Sequence, residues 1–183
     1  MSEATAAGGF EIAPKQCQHP VLNFLHGYWD NKRGARLMPA RADIKPTELK
    51  DHLGWISMLD VLPQARDFRY RLIGTLVTEY FFWDPTGKTL TEAFATQPAR
   101  LRDAVLATFR CVVDNRAPLL AYGDAGWAGK GLEECEALYL PLSDDDKTVN
   151  VILHAFVFDQ KKVLLARTIA RANGGRLVEQ PGA

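Results

Sequence analysis

Residues 67–92 read DFRYRLIGTLVTEYFFWDPTGKTLTE, and the change of period inside this stretch decides the fold. Phe68, Tyr70 and Leu72 alternate with Arg69 and Arg71, the period of two expected of a strand with one buried and one solvated face. Gly74-Thr75 breaks the alternation, and Leu76, Val77, Tyr80 and Phe81 then recur at helical spacing, with Thr75 placed to cap the helix. Asp84-Pro85-Thr86-Gly87 has the residue order of a type I turn. The stretch is therefore strand, tight break, short helix and turn, and the remaining elements are placed around it.

Working outward, 183 residues with 47% hydrophobic and 24% charged side chains suit one ordinary domain with a real core. Twenty-two basic and 22 acidic residues cancel, so no strong field draws nucleic acid or an anionic membrane surface. Cys17, Cys111 and Cys135 are odd in number and lack the spacing of a zinc or redox pair, so they read as reduced thiols. The first residues contain no apolar run of signal-peptide length and no later segment approaches a membrane span, which gives the expectation of a cytoplasmic protein.

Residues 1–18 are small and polar and are expected to form a flexible arm, residues 19–160 the domain, and residues 161–183 an extension that is helical or a continued strand over 161–172. Pro20 opens a helix with two apolar stripes, Val21, Phe24, Leu25 and Tyr28 on one and Leu22, Leu25 and Trp29 on the next. A short helix is expected from Pro46 to about Leu53, a strand over Trp55 to Leu62, and a hairpin from it into the strand of the opening stretch. Leu101 to Asn115 is the clearest helix. Leu101, Val105, Thr108 and Val112 lie opposite Arg102, Asp103, Arg110 and Asp114, and Leu106 and Val113 stand at the edge of the polar arc. Three strands follow: Leu119 to Tyr122, Glu133 to Leu142 with Pro141 as an interruption, and the strongly apolar Val149 to Phe158. Two strands, a helical crossing and three more strands make an α+β fold, a five-stranded antiparallel sheet with short helices and one long helix on one face plus the N-terminal helix.

From about His19 to Asp159 the chain resembles the single-domain PAS proteins common in alphaproteobacteria. The matching pieces are Tyr28-Trp29, Pro39 to Pro46 (PARADIKP), Leu59-Asp60-Val61, Asp67 to Thr75 (DFRYRLIGT), Thr86-Gly87 and Leu140 to Asp145 (LPLSDD). The family more usually has an acidic residue before the proline where Lys45 stands here. The resemblance implies a PAS fold and a sensory or regulatory module that senses a small ligand or binds protein partners, frequently as a dimer. It implies no reaction. No kinase, cyclase or DNA-binding segment fits in the remaining residues, so output is expected to pass through another signalling protein such as a sensor kinase.

Candidate sites follow from chemistry and from where this fold binds ligands. Tyr70, Leu72, Phe82, Phe94, Phe109 and Tyr139 are the aromatic and apolar residues placed to line the concave side of the sheet, where they serve equally to fill a core or to line a ligand pocket. His154, on a central strand, joins this ligand-binding set as the histidine able to face such a cavity, against the more ordinary role of a hydrogen-bonded core histidine. The long helix contains no histidine, although haem-binding PAS domains commonly take an axial ligand there. The helix after Gly74 has no cysteine, where flavin-binding light sensors of this fold carry one. No cofactor is named by these residues.

The loop Gly123 to Gly131 (GDAGWAGKG) lacks the strand-before, helix-after context of a phosphate cradle. Gly87-Lys88-Thr89 fails as a P-loop, because Phe82 stands where the loop's first glycine is needed. Glu133, Glu134 and Glu136 and the Asp144–Asp146 turn read as solvated charge, and no catalytic or metal-ligating constellation is visible. The second stripe of the first helix, Leu22, Leu25 and Trp29, is surplus apolar surface and is the candidate interface of a homodimer. The expectation is a non-enzymatic regulatory module acting through protein contacts. The alternative is a small-molecule binding protein whose pocket is its primary function.

Overall fold

A computed structural model describes residues 5–6, 10–12, 17, 19–81, 83–123 and 135–158. The glycine-rich loop from residue 124 onward, Glu133, Glu134, Phe82 and the extension at 161–183 lie outside the described residues. The chain forms β1 (Thr5–Ala6), β2 (Phe10–Ile12), α1 (Pro20–Arg33), β3 (Ile56–Val61), β4 (Phe68–Ile73), α2 (Thr75–Phe81), α3 (Leu90–Ala93), α4 (Ala99–Asn115), β5 (Leu119–Gly123), β6 (Cys135–Leu142) and β7 (Val151–Phe158). Short 3-10 turns occupy Arg41–Asp43, Pro46–Glu48 and Lys50–Trp55, in place of the single helix expected from Pro46.

All strand pairs are antiparallel, in the order β1-β2-β5-β6-β7-β3-β4. The five strands expected from the sequence are the last five of that order. The backbones of β1 and β2 lengthen the sheet beyond them, within the stretch expected to be a free arm. In the centre, β6 and β7 are buried along almost their whole length on both faces. A strand buried on both faces needs cover on both. Phe109 of α4 covers one, in contact with Tyr139 and His154. On the other, α1 packs against β6 and β7.

That placement corrects the expected dimer stripe. Leu22, Leu25 and Trp29 are 0%, 0% and 3% exposed, spent within the chain's own core. The indole Nε1 of Trp29 donates to the Pro141 carbonyl at 2.8 Å, deep in the structure. The register explains why Pro141 does not interrupt β6. The strand's neighbour β5 ends opposite Tyr139, so the edge toward which Pro141 turns its carbonyl and its missing N–H faces no strand among the described residues. Proline costs nothing where no ladder bond is due.

Two further expectations change. Leu106 is 7% exposed and belongs to the core, although the wheel places it beside the polar arc. That arc is not simply solvated either. Arg110 donates from Nε to the Ala65 carbonyl at 3.0 Å and from a terminal nitrogen to the Arg66 carbonyl at 2.8 Å, tying α4 to the β3–β4 turn.

The acidic turn after β6 is a structural clamp. Asp146 accepts from the amides of Leu37 and Met38, and Asp145 accepts from Ser143, Lys147 and Thr148, which holds its carboxyl far below the usual carboxylate range. These carboxylates are engaged in holding backbone, not arranged around a substrate.

Candidate functional site

The β4 strand carries a bulge that no alternation rule reveals. Leu59 pairs with Tyr70 but Met58 pairs with Leu72, so Arg71 is the extra residue. Its guanidinium meets Asp60 at 2.7 and 2.8 Å on the surface. An inserted residue flips everything beyond it to the opposite face. Tyr70 therefore faces the helices while Leu72 does not, and Ile73, paired with Ser57, takes the place that strict alternation gives to Leu72.

Behind this face lies a cavity of about 470 Å³, within the size range of small-molecule sites. The floor is a row of cross-strand partners: Tyr139 opposite His154, and His154 opposite Ser57. Val77 of α2, Ala93 and Phe94 around α3, and Leu101, Ala104, Val105, Thr108 and Phe109 of α4 form the roof. Trp83, Pro85 and Lys88 come from the turn that closes the opening stretch.

That turn is shifted by one residue from expectation. The Lys88 amide donates to the Pro85 carbonyl at 2.9 Å, and Gly87 stands third at φ +85°, the position where a type II turn demands glycine. Asp84 accepts from the Thr86 amide at 2.9 Å and so caps the turn from outside. Thr75, likewise, is the first helical residue and not the cap. Its predecessor Gly74 supplies the carbonyl to Val77 and Thr78.

Of the residues the sequence singled out for a pocket, Tyr70, Phe94, Phe109, Tyr139 and His154 are brought together around this space. Leu72 is not, because of the bulge, and Phe82 falls outside the described residues. Ser57, Ile73, Val77, Trp83 and Thr108 were missed. Ser57 had a visible signal, a hydroxyl inside the apolar run Ile56 to Leu59, and it is 1% exposed.

The floor is an aromatic cluster. His154 lies 4.6 Å from Tyr139 and 5.7 Å from Phe109 between ring centroids, and Phe109 stands edge-on to Tyr139 at 5.0 Å. Both nitrogens of His154 are buried and neither has a hydrogen-bond partner. Sequence reasoning gave a satisfied core histidine as its ordinary role, and the structure gives the opposite. Loss of hydration pushes its pKa from 6.5 down to about 3, so the ring is neutral at physiological pH. The same desolvation raises the hydroxyls of Tyr70 and Tyr139 well above their usual range.

Thr108 spends its hydroxyl proton on the Ala104 carbonyl at 3.0 Å. Among the described residues, Lys88 and Glu92, one of each sign, are the charged lining residues, and both are exposed. Among the described residues no cluster of three metal-ligating side chains occurs, and no helix is long and apolar enough to cross a membrane.

A family model described as a PAS domain matches residues 17–157 of the 183. No curated protein and no solved structure matches the chain.

Proposed function

The chain belongs to the PAS domain family, and from that premise we propose that it is a non-enzymatic sensory module whose signal is a small molecule held in the cavity between the sheet and α2–α4. The observation that carries this reading is the cavity itself. It is an aromatic-lined space of about 470 Å³ with an unsatisfied histidine on its floor, where a filled core would have neither.

The output is protein contact, with a signalling protein such as a sensor kinase and with a second copy of the chain. The route runs through α2. Val77 lines the cavity, and on the same helix Leu76 presses on Gly54, where an added Cβ would come within 2.9 Å of it. Gly54 belongs to the turn Lys50–Trp55, whose His52 ring sits 4.4 Å from Phe24 on the outer face of α1. Phe24 and Leu53 are 41% and 39% exposed, so this outer face, in place of Leu22, Leu25 and Trp29, is the surface on offer to partners. A ligand that shifts α2 thereby shifts the contact surface.

Native mass spectrometry of the purified protein tests the reading. A retained adduct of small-molecule mass, or one acquired from a metabolite extract, supports it. A chain that takes up no adduct from such extracts refutes it.

A further inference from the structure

We propose that the occupant of this cavity is an uncharged molecule with an aromatic or other flat apolar body and one polar group, and that the His154 imidazole is the group that recognises the polar end. The inference rests on the ligand-pocket reading above and names the class of ligand that pocket takes.

Among the described residues, no ionised group stands at the floor. His154 is flanked by Tyr139, Phe109 and Ser57, none of which is ionised at neutral pH, and Lys88 and Glu92 stand in the solvated part of the lining. An ionised carboxylate or ammonium placed beside His154 would lose its hydration without gaining a counter-charge. A neutral hydrogen-bonding group meets a different environment. The neutral imidazole has one N–H and one bare nitrogen, both without partners, and leaving such buried groups unpaired is costly.

The ring's nitrogens are sealed, whereas the residue as a whole is partly exposed, so the exposure lies on its other atoms. A half-turn about the Cβ–Cγ bond barely changes the outline of an imidazole. It carries Nδ1 and Nε2 to the opposite edge of the ring. The aromatic walls match the flat body of the ligand, since rings favour edge-on contacts of the kind that Phe109 and Tyr139 already make.

The test is a titration followed by NMR with four probes of nearly one shape: toluene, benzamide, benzoate and benzamidinium. The expected result is that benzamide binds about five-fold more tightly than toluene, the worth of one net hydrogen bond. Benzoate and benzamidinium are expected to bind at least about ten-fold more weakly than benzamide. The ¹⁵N resonances of the His154 ring should move on adding benzamide and stay still on adding toluene. In His154→Phe the preference for benzamide over toluene should vanish while toluene still binds.

Benzoate binding as well as benzamide, still ring resonances, or an unchanged preference in His154→Phe each overturn the assignment while leaving the pocket intact. If none of the four probes binds, toluene included, the pocket reading falls with it. The ring resonances are read on the unaltered protein, so the test survives a variant that fails to fold.

Discussion

At Gly74 the break between strand and helix is made by a close approach of two backbones. A Cβ there would fall inside the carbonyl oxygens of Leu53 and Gly54, which are main-chain atoms that cannot swing aside. Gly74→Ala is therefore expected to cost about 2 kcal/mol or more, at the upper end of overpacking penalties. Gly87→Ala should cost only about 1 kcal/mol, because the strain lies in its positive φ and nothing stands within 4 Å. Urea unfolding of the two variants compares them, and equal losses would refute the close-approach argument.

His154 gives the second prediction at this scale. Its folded pKa, lowered to about 3 by burial, lies below its unfolded value, so the unfolded chain binds the extra proton. The stability is fully present above about pH 6.5 and drains away as pH falls toward 3, at about 1.4 kcal/mol per pH unit in the steep part. The titratable groups nearest the ring do not change this sign. Tyr139 and Tyr70 stay protonated throughout the window. Between pH 6.5 and 4.5 the wild type should lose stability faster than His154→Phe, as read from urea midpoints. Parallel curves for the two proteins would remove His154 from the acid sensitivity of the fold.

Among the elements, α1 shows how burial can be misread when an amphipathic helix has two apolar stripes. The sequence shows both stripes of α1 and, in Val149 to Phe158, a strand apolar on both faces, but not that α1 is what covers the second face. Leu22, Leu25 and Trp29 look like surplus until β6 and β7 are seen to be apolar on both sides and to need α1 as a lid. An interface residue and a core residue respond differently to one substitution. Leu22→Asp should destabilise the chain by more than about 3 kcal/mol at any protein concentration, the consequence of burying a charge where a leucine leaves no space for water. A folded, dissociated monomer of wild-type stability by light scattering and urea unfolding would instead restore the dimer stripe.

The legible parts of the fold were those governed by period. Strand β4, helix α4 and the central β7 follow from alternation, from the helical stripe and from a run of β-branched residues. The illegible parts were those set by contacts between distant segments. The bulge at Arg71 exchanges Leu72 for Ile73 in the cavity wall, and the clamp of Asp146 on Leu37 and Met38 turns a solvated turn into a joint. Neither leaves a local trace, because each depends on a partner far along the chain.

For the whole molecule, the cavity sets stability against function. A domain that keeps about 470 Å³ open between its sheet and its helices forgoes the packing those walls could make with each other. Ala104 sits on the roof, 8% exposed, on a helix where leucine is nearly as good a helix former as alanine. Ala104→Leu puts three more carbons into the space. At about 0.8 kcal/mol per buried methylene it can stabilise the free chain by up to about 2 kcal/mol, a rise of several degrees in Tm for a domain of this size. The same side chain stands where a ligand's flat body would lie against α4, so benzamide should bind at least about ten-fold more weakly to the variant, since about 1.4 kcal/mol of lost contact suffices for that factor. Heat unfolding and the NMR titration read the two effects separately. A higher Tm with undiminished binding would move the ligand site away from α4. A lower Tm would mean that the space near Ala104 is too narrow for a leucine. Only the expected pair, a stabler chain that takes the probe more weakly, identifies the cavity as a cost that the fold carries for the sake of an occupant.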